Sequence, residues 1–195
     1  MKCDYDIVIC GGGMIGATLA TLLAPHGFSI ALVEAHEPAA YDLSQSFDLR
    51  ISALSPKSAQ VMQQSNAWEI LQSMRLCPYK RMRVWEVAGF GDLTFSANQV
   101  GAPELGHIVE NRLVQLSLWQ ALQSNDNVEI ICPAKPERFH REGKVMHIGL
   151  DTGQSISAKL IVGADGAQSK VRQGFGVGVN RGQYQQACLV ASVNT

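Results

Sequence analysis

Three consecutive glycines, Gly11–Gly13, with a fourth at Gly16, break the most apolar stretch of the chain, DIVICGGGMIGATLATLLAPHGFSIALVE (residues 6–34). No residue from Ile7 to Pro25 carries a formal charge, so the stretch approaches the length of a membrane span. A spanning helix would hold three glycines in succession in its interior, each costing roughly 1 kcal/mol relative to alanine. Pro25, His26 and Gly27 then end the run before it comfortably crosses about 30 Å of hydrocarbon. A secretory leader needs a positive segment ahead of its apolar core, and Asp4 and Asp6 precede this one. The stretch is expected neither to span a membrane nor to be a cleaved leader.

A strand–turn–helix–strand unit explains each feature separately. Tyr5–Cys10 suits a buried parallel strand. Gly11-x-Gly13-x-x-Gly16 makes a tight turn whose bare amides can approach a pyrophosphate. Met14 to about Ala24 follows as a helix, its N-terminus offering free N–H groups and partial positive charge to an anion. Gly16, Ala17 and Ala20 keep the helix thin where it meets the strand, and Gly27 ends it. Phe28–Val33 is the second strand and delivers Glu34, 23 residues after Gly11, near the offset of an acid that binds ribose hydroxyls. The unit predicts a dinucleotide pocket.

Composition narrows the rest. A chain of 195 residues suggests one domain or slightly more. At 46% hydrophobic it has material for a core, and a net charge of −1 argues against a nucleic-acid partner. The five cysteines (Cys3, Cys10, Cys77, Cys132, Cys188) are odd in number and scattered, which fits a reducing compartment rather than a disulfide framework. Cys10, Cys132 and Cys188 sit in apolar, strand-like runs. No ligand spacing among the histidines points to a metal.

The βαβ unit does not choose between FAD and NAD. A second motif does, in AKLIVGADGAQSKVR (158–172), where an apolar strand runs into Gly163-Ala164-Asp165-Gly166. This resembles the Asp-Gly motif of flavoprotein aromatic hydroxylases of the para-hydroxybenzoate hydroxylase type, and the resemblance implies that Asp165 and Gly166 lie beside the flavin pyrophosphate. In DLRISALSPKSAQVM, Ser55-Pro56 opens a helix; the resemblance implies that Arg50 packs against the cofactor, and a plain surface arginine is the alternative. A helix from about Asn111 carries an apolar stripe of Leu113, Leu116, Trp119 and Leu122. Arg112 in its first turn is oddly placed for the helix dipole. It meets either an anion such as a flavin phosphate or Glu110.

RISALS, LGHIVEN, LWQAL and IVGADGAQSKVRQ together resemble the ubiquinone-biosynthesis hydroxylases. HGFSIALVEAHEPAAY and CPYKRMRVWE lean toward the branch acting on a methyl-methoxy-benzoquinol, FGDLTF toward the octaprenylphenol branch. The resemblance implies an FAD-dependent monooxygenase that hydroxylates a polyprenylated ring through a flavin hydroperoxide, using NADPH or NADH and molecular oxygen. It also implies a cytoplasmic protein, peripheral to the inner face of the membrane or to other ubiquinone-biosynthesis proteins. No catalytic side chain stands out; His107 is the nearest candidate, with a packing role as its alternative. A non-catalytic flavin-binding module and an NAD-dependent dehydrogenase are the competing functions.

The fold expected is α/β: a Rossmann-like FAD-binding domain (1–182) with a parallel sheet and a small antiparallel β layer. Residues 128–162 supply that layer, with turns at Glu142-Gly143 and Asp151-Thr152-Gly153. Residues 183–195 are expected to begin a truncated β-sheet substrate domain, with ACLVASVNT its first strand and 81–97 contributing two more. Such strands would carry an exposed, aggregation-prone edge. The family's later Gly-Asp motif has no counterpart here, since Gly91-Asp92 reads as a plain turn. The stretch is therefore expected to be an N-terminal half, inactive alone. Arg75, Lys80, Arg81 and Arg83 read as a solvated strand face, with lipid head groups as the alternative.

Overall fold

The structure is a computed structural model that describes residues 3–87 and 89–193. Its first strand, β1 (Tyr5–Cys10), leads through the glycine turn into helix α1 (Met14–Leu23), and β2 (Ile30–Val33) follows. Next come β3 (Ile51–Leu54), α2 (Pro56–Gln64), α3 (Trp68–Gln72), β4 (Cys77–Tyr79), β5 (Arg81–Trp85), β6 (Asp92–Ser96) and β7 (Gly106–Glu110). Helix α4 (Asn111–Leu122) precedes β8 (Val128–Ile131), β9 (Pro136–Glu142), β10 (Val145–Leu150), β11 (Ser155–Gly163) and α5 (Lys170–Gly174).

The main sheet has six strands in the order β8-β2-β1-β11-β10-β9. The first four run parallel, and β10 and β9 extend the sheet antiparallel. Both faces of β1 are covered, which is why its sequence is apolar without alternation. Ile7 and Ile9 pack with Ile30, Leu32 and the helices α1 to α4. Val8 and Cys10 face the other way, onto Ala31, Val33, Ile148, Ile156 and Val171. Helix α2 starts as expected, with Ser55 Oγ accepting from the Ser58 amide ahead of Pro56.

The strands expected between 128 and 162 form and turn at Gly143 and Gly153; β9, β10 and β11 make the antiparallel edge of the main sheet, and β8 joins its opposite edge in parallel. Among the described residues, the separate antiparallel sheet is β3-β7-β4, and β5 pairs only with β6. Residues 177–193 form neither helix nor strand. The strand expected at ACLVASVNT is absent from its described part, because no other strand lies alongside to take its backbone hydrogen bonds; Asn194 and Thr195 lie outside the described residues. Cys188 is accordingly exposed rather than packed in a strand. No helix among the described residues is long and apolar enough to cross a membrane.

Candidate functional site

Strand register assembles the site. Cys10 sits opposite Val33 on one side and Gly163 on the other. The next residues of all three strands, Gly11, Glu34 and Ala164, therefore emerge together at the carboxyl edge of the sheet, where α/β folds bind their ligands. Hydrogen bonds lock this level: the Gly11 amide donates to Val33 O at 2.8 Å and the Ala164 amide to Cys10 O at 2.7 Å.

The glycines of the motif have different jobs. Gly11 has φ +105°, and a Cβ there would run into the Ala164 carbonyl. A Cβ on Gly16 would run into the Gly11 carbonyl. These two let α1 sit directly against the turn. At Gly13 nothing lies within 4 Å of a would-be Cβ, so this residue faces open space. The intervening Gly12 peptide is held at both ends. Its N–H donates to Glu34 Oε2 at 2.6 Å, while Gln115 Nε2 (2.9 Å) and Trp119 Nε1 (2.7 Å) both donate to its carbonyl. The other Glu34 oxygen accepts from the Ala35 and His36 amides at 2.8 and 3.1 Å. A carboxylate has about four acceptor positions, so one remains for an incoming hydroxyl.

On the far side of β1, Asp165 Oδ2 accepts from the Lys170 and Val171 amides at 2.6 and 3.2 Å and so anchors the start of α5. Its Oδ1 is buried without a partner. Burial, then the neighbouring Asp165 charge, pushes the Cys10 thiol up to about 12, leaving it a protonated core residue.

Two clefts meet over the glycine turn. One, of about 890 Å³, is lined by Gly11, Gly13, Glu34, Arg138, Asp165 and Gly166, among others. The second, of about 680 Å³, is lined by Gly13, Glu34, Asp48, Arg50 and Arg112, among others. Gly13 and Glu34 belong to both. Of the eight residues singled out from sequence, seven thus line one groove, and Gly16 packs beneath it. Arg112 does not pair with Glu110. Its guanidinium meets Asp48 at 2.9 Å and the carbonyls of Ala39 and Ala40 at 3.1 and 2.7 Å. Glu110 is taken by Arg75 at 3.1 Å, which removes Arg75 from the expected solvated basic face.

His107 packs edge-to-face on Trp68, with ring centroids 5.2 Å apart, and lines neither cleft of the groove. Its Nδ1 is buried without a hydrogen-bond partner. Gly91 closes the loop between β5 and β6 and Asp92 opens β6, its carboxylate paired to Arg83 at 2.6 Å. Sequence reasoning missed Gln115 and Trp119, whose spacing of four on one helix face was the available signal. It also missed Lys135, Arg138 and Lys170 on the wall of the first cleft, which nothing in their local sequence marks.

A family model described as an FAD binding domain matches residues 4–195. The chain belongs to that family. Among curated relatives, this FAD binding domain is 40% identical over 188 residues to the 3-demethoxyubiquinol 3-hydroxylase of Escherichia coli K12, covering 96% of this chain and 48% of the relative. It is 33% identical over 204 residues to the mitochondrial ubiquinone biosynthesis monooxygenase COQ6 of Xenopus tropicalis, covering 97% and 44%. The chain thus spans about half the length of these relatives. Its fold matches that of Pseudomonas aeruginosa PqsL in complex with 2-aminobenzoylacetate, with TM-score 0.73, 21% identity, and coverage of 92% of this chain and 48% of PqsL. The flavin-dependent monooxygenase PieE, solved with FAD and substrate, matches with TM-score 0.70, 16% identity, and coverage of 92% and 33%.

Proposed function

We propose that the groove binds FAD, with its adenosine diphosphate end across the carboxyl tips of β1 and β2, and that the chain is the flavin-binding part of a monooxygenase that hydroxylates a prenylated benzoquinol ring in ubiquinone biosynthesis. The observation that carries this reading is the convergence of Gly11, Gly13, Glu34 and Asp165 on one groove, at the ends of three strands of which β11 comes more than a hundred residues after the other two. The residues present fit the group. Gly13 leaves open space above the N-terminus of α1, Glu34 keeps an acceptor position beside it, and Asp165 Oδ1 lacks a partner within the protein.

In this reading the free amides at the start of α1 hold the pyrophosphate, and Glu34 accepts from a ribose hydroxyl. Lys135, Arg138 and Lys170 supply positive charge from the cleft wall, and Asp165 faces the flavin side. Arg50 and Arg112 line the second arm of the groove. Bound FAD, reduced by a nicotinamide donor, supplies the activation of molecular oxygen and its transfer to the ring. The ring class follows the name of the Escherichia coli relative, since a demethoxyubiquinol is a prenylated benzoquinol.

The test is FAD titration, followed by visible flavin absorbance and fluorescence quenching. A carboxylate–hydroxyl hydrogen bond is worth about 1.5–3 kcal/mol, so Glu34→Ala is expected to weaken FAD binding by roughly ten- to a hundredfold. Unchanged affinity rejects the ribose assignment. A chain that never takes up flavin rejects the whole reading.

A further inference from the structure

Residues 35–50 connect β2 to β3 without regular structure, and their later part, Asp48 to Arg50, lines the second cleft. Segments this long without regular structure are uncommon in compact domains unless they serve a function. One side chain from outside the groove holds much of this segment. Arg75, between α3 and β4, donates from Nη1 to Gln45 O at 2.8 Å and pairs through Nη2 with Glu110 Oε1 at 3.1 Å. Its guanidinium carbon lies 4.4 Å from the Phe47 ring centroid and 5.6 Å from that of Tyr41. The same Glu110 oxygen accepts the Asp48 amide at 2.8 Å. Asp48 in turn presents its carboxylate to Arg112 inside the groove.

The chain of contacts runs from Arg75 through Glu110 to Asp48 and then to Arg112, and Arg50 follows Asp48 two residues on in the same segment. Arg75 itself lines neither arm of the groove. It lines a separate cavity of about 340 Å³ with Phe47, Met74 and Glu110, among others. We propose that Arg75 is a positioning residue for the cofactor: with Glu110 it fixes segment 41–50 so that Asp48 and Arg50 stand where the flavin passes. This rests on the FAD reading above. Arginine suits the task because its planar fork bonds a carbonyl and a carboxylate while its face stacks on an aromatic ring.

Arg75→Met alone would strand Glu110, which is 3% exposed, and such a variant risks unfolding. The test is therefore Arg75→Met with Glu110→Gln in the full 195-residue chain, since the uncharged amide side chain keeps an acceptor for the Asp48 N–H. Circular dichroism checks folding, hydrogen–deuterium exchange reports on segment 41–50, and FAD titration reports on the groove. The expected result is faster exchange confined to 41–50 and FAD affinity lowered about tenfold, because the cofactor must now order the segment on binding. Arg75→Lys, which keeps the charge but not the fork, falls between the double variant and the wild type. Wild-type exchange in the double variant overturns the proposal. Faster exchange with unchanged FAD affinity also overturns it, leaving a tether with no bearing on the cofactor. If the wild-type chain itself fails to take up FAD, the parent reading fails and the cofactor clause with it, while the exchange data still decide whether Arg75 holds the segment.

Discussion

Gly13 and Gly16 look equivalent in the motif, yet their surroundings assign them opposite sensitivities. A methyl at position 16 would enter the Gly11 carbonyl and press within 3.2 Å of the Ala164 Cβ. Both neighbours belong to rigid parts of the sheet edge, so α1 would have to lift away. Gly16→Ala is expected to destabilise the fold by about 1–3 kcal/mol or more, read as a lower midpoint in thermal or urea denaturation. A methyl at position 13 meets nothing, and Gly13 has an ordinary φ of −68°. Gly13→Ala should therefore change stability by about 1 kcal/mol or less, the usual cost at a helix N-cap. Its methyl would stand in the groove, however, and FAD affinity should fall. Normal FAD binding by folded Gly13→Ala would mean that the cofactor does not pass over the turn.

At the scale of elements, local pattern reveals β1, α1 and β2, because burial on both faces demands an unbroken apolar run and glycines mark where it bends. Pairing is not local. Nothing near Tyr5–Cys10 says that β11, some 150 residues later, lies beside it, so the level at which Gly11 meets Ala164 came only from the structure. The same limit explains Arg112, whose partner Asp48 lies 64 residues away, while sequence inspection offered only an incoming anion or the neighbouring Glu110. One consequence of the long-range pairing concerns acid. At the amino end of β1, Asp4 accepts from the Ser157 hydroxyl and amide at 2.7 and 2.8 Å, and Asp6 takes Lys159 Nζ at 2.6 Å and the Ser29 amide at 3.0 Å. The Ser157 hydroxyl and then its amide hold Asp4 below the usual 3.8, and Lys159 and then Ser29 do the same for Asp6. A carboxylate with a lowered folded pKa contributes stability that is whole above the unfolded value and lost as pH falls through the folded one. Urea denaturation should therefore show stability declining below about pH 4, with the decline flattened in Asp4→Asn/Asp6→Asn. An equally steep decline in that variant would locate the acid sensitivity elsewhere.

Over the whole molecule, apolar surface is distributed unevenly. The groove and the two cores on either side of the main sheet use the apolar runs of β1, β2, α4 and β11, but the β5–β6 hairpin pairs with no other strand among the described residues. Trp85, Leu93 and Phe95 stay largely exposed on it, Phe90 at its turn is fully so, and Leu189 and Val190 are exposed in the stretch after α5. A two-stranded hairpin is marginal by itself, and large apolar side chains exposed on both of its faces mark a surface that something else covers or that self-associates. The polar clasp between Arg83 and Asp92 across the hairpin lies at the surface and adds little. The chain is therefore expected to self-associate as its concentration rises in sedimentation velocity. Trp85→Gln/Phe90→Gln/Leu93→Gln should shift it toward monomer. None of the three residues lines the groove, so FAD affinity should be the same in the triple variant, and that separates surface association from damage to the flavin site. A wild-type chain that stays monomeric at every concentration would show that these side chains pack more favourably than their exposure implies, and that the hairpin needs no cover.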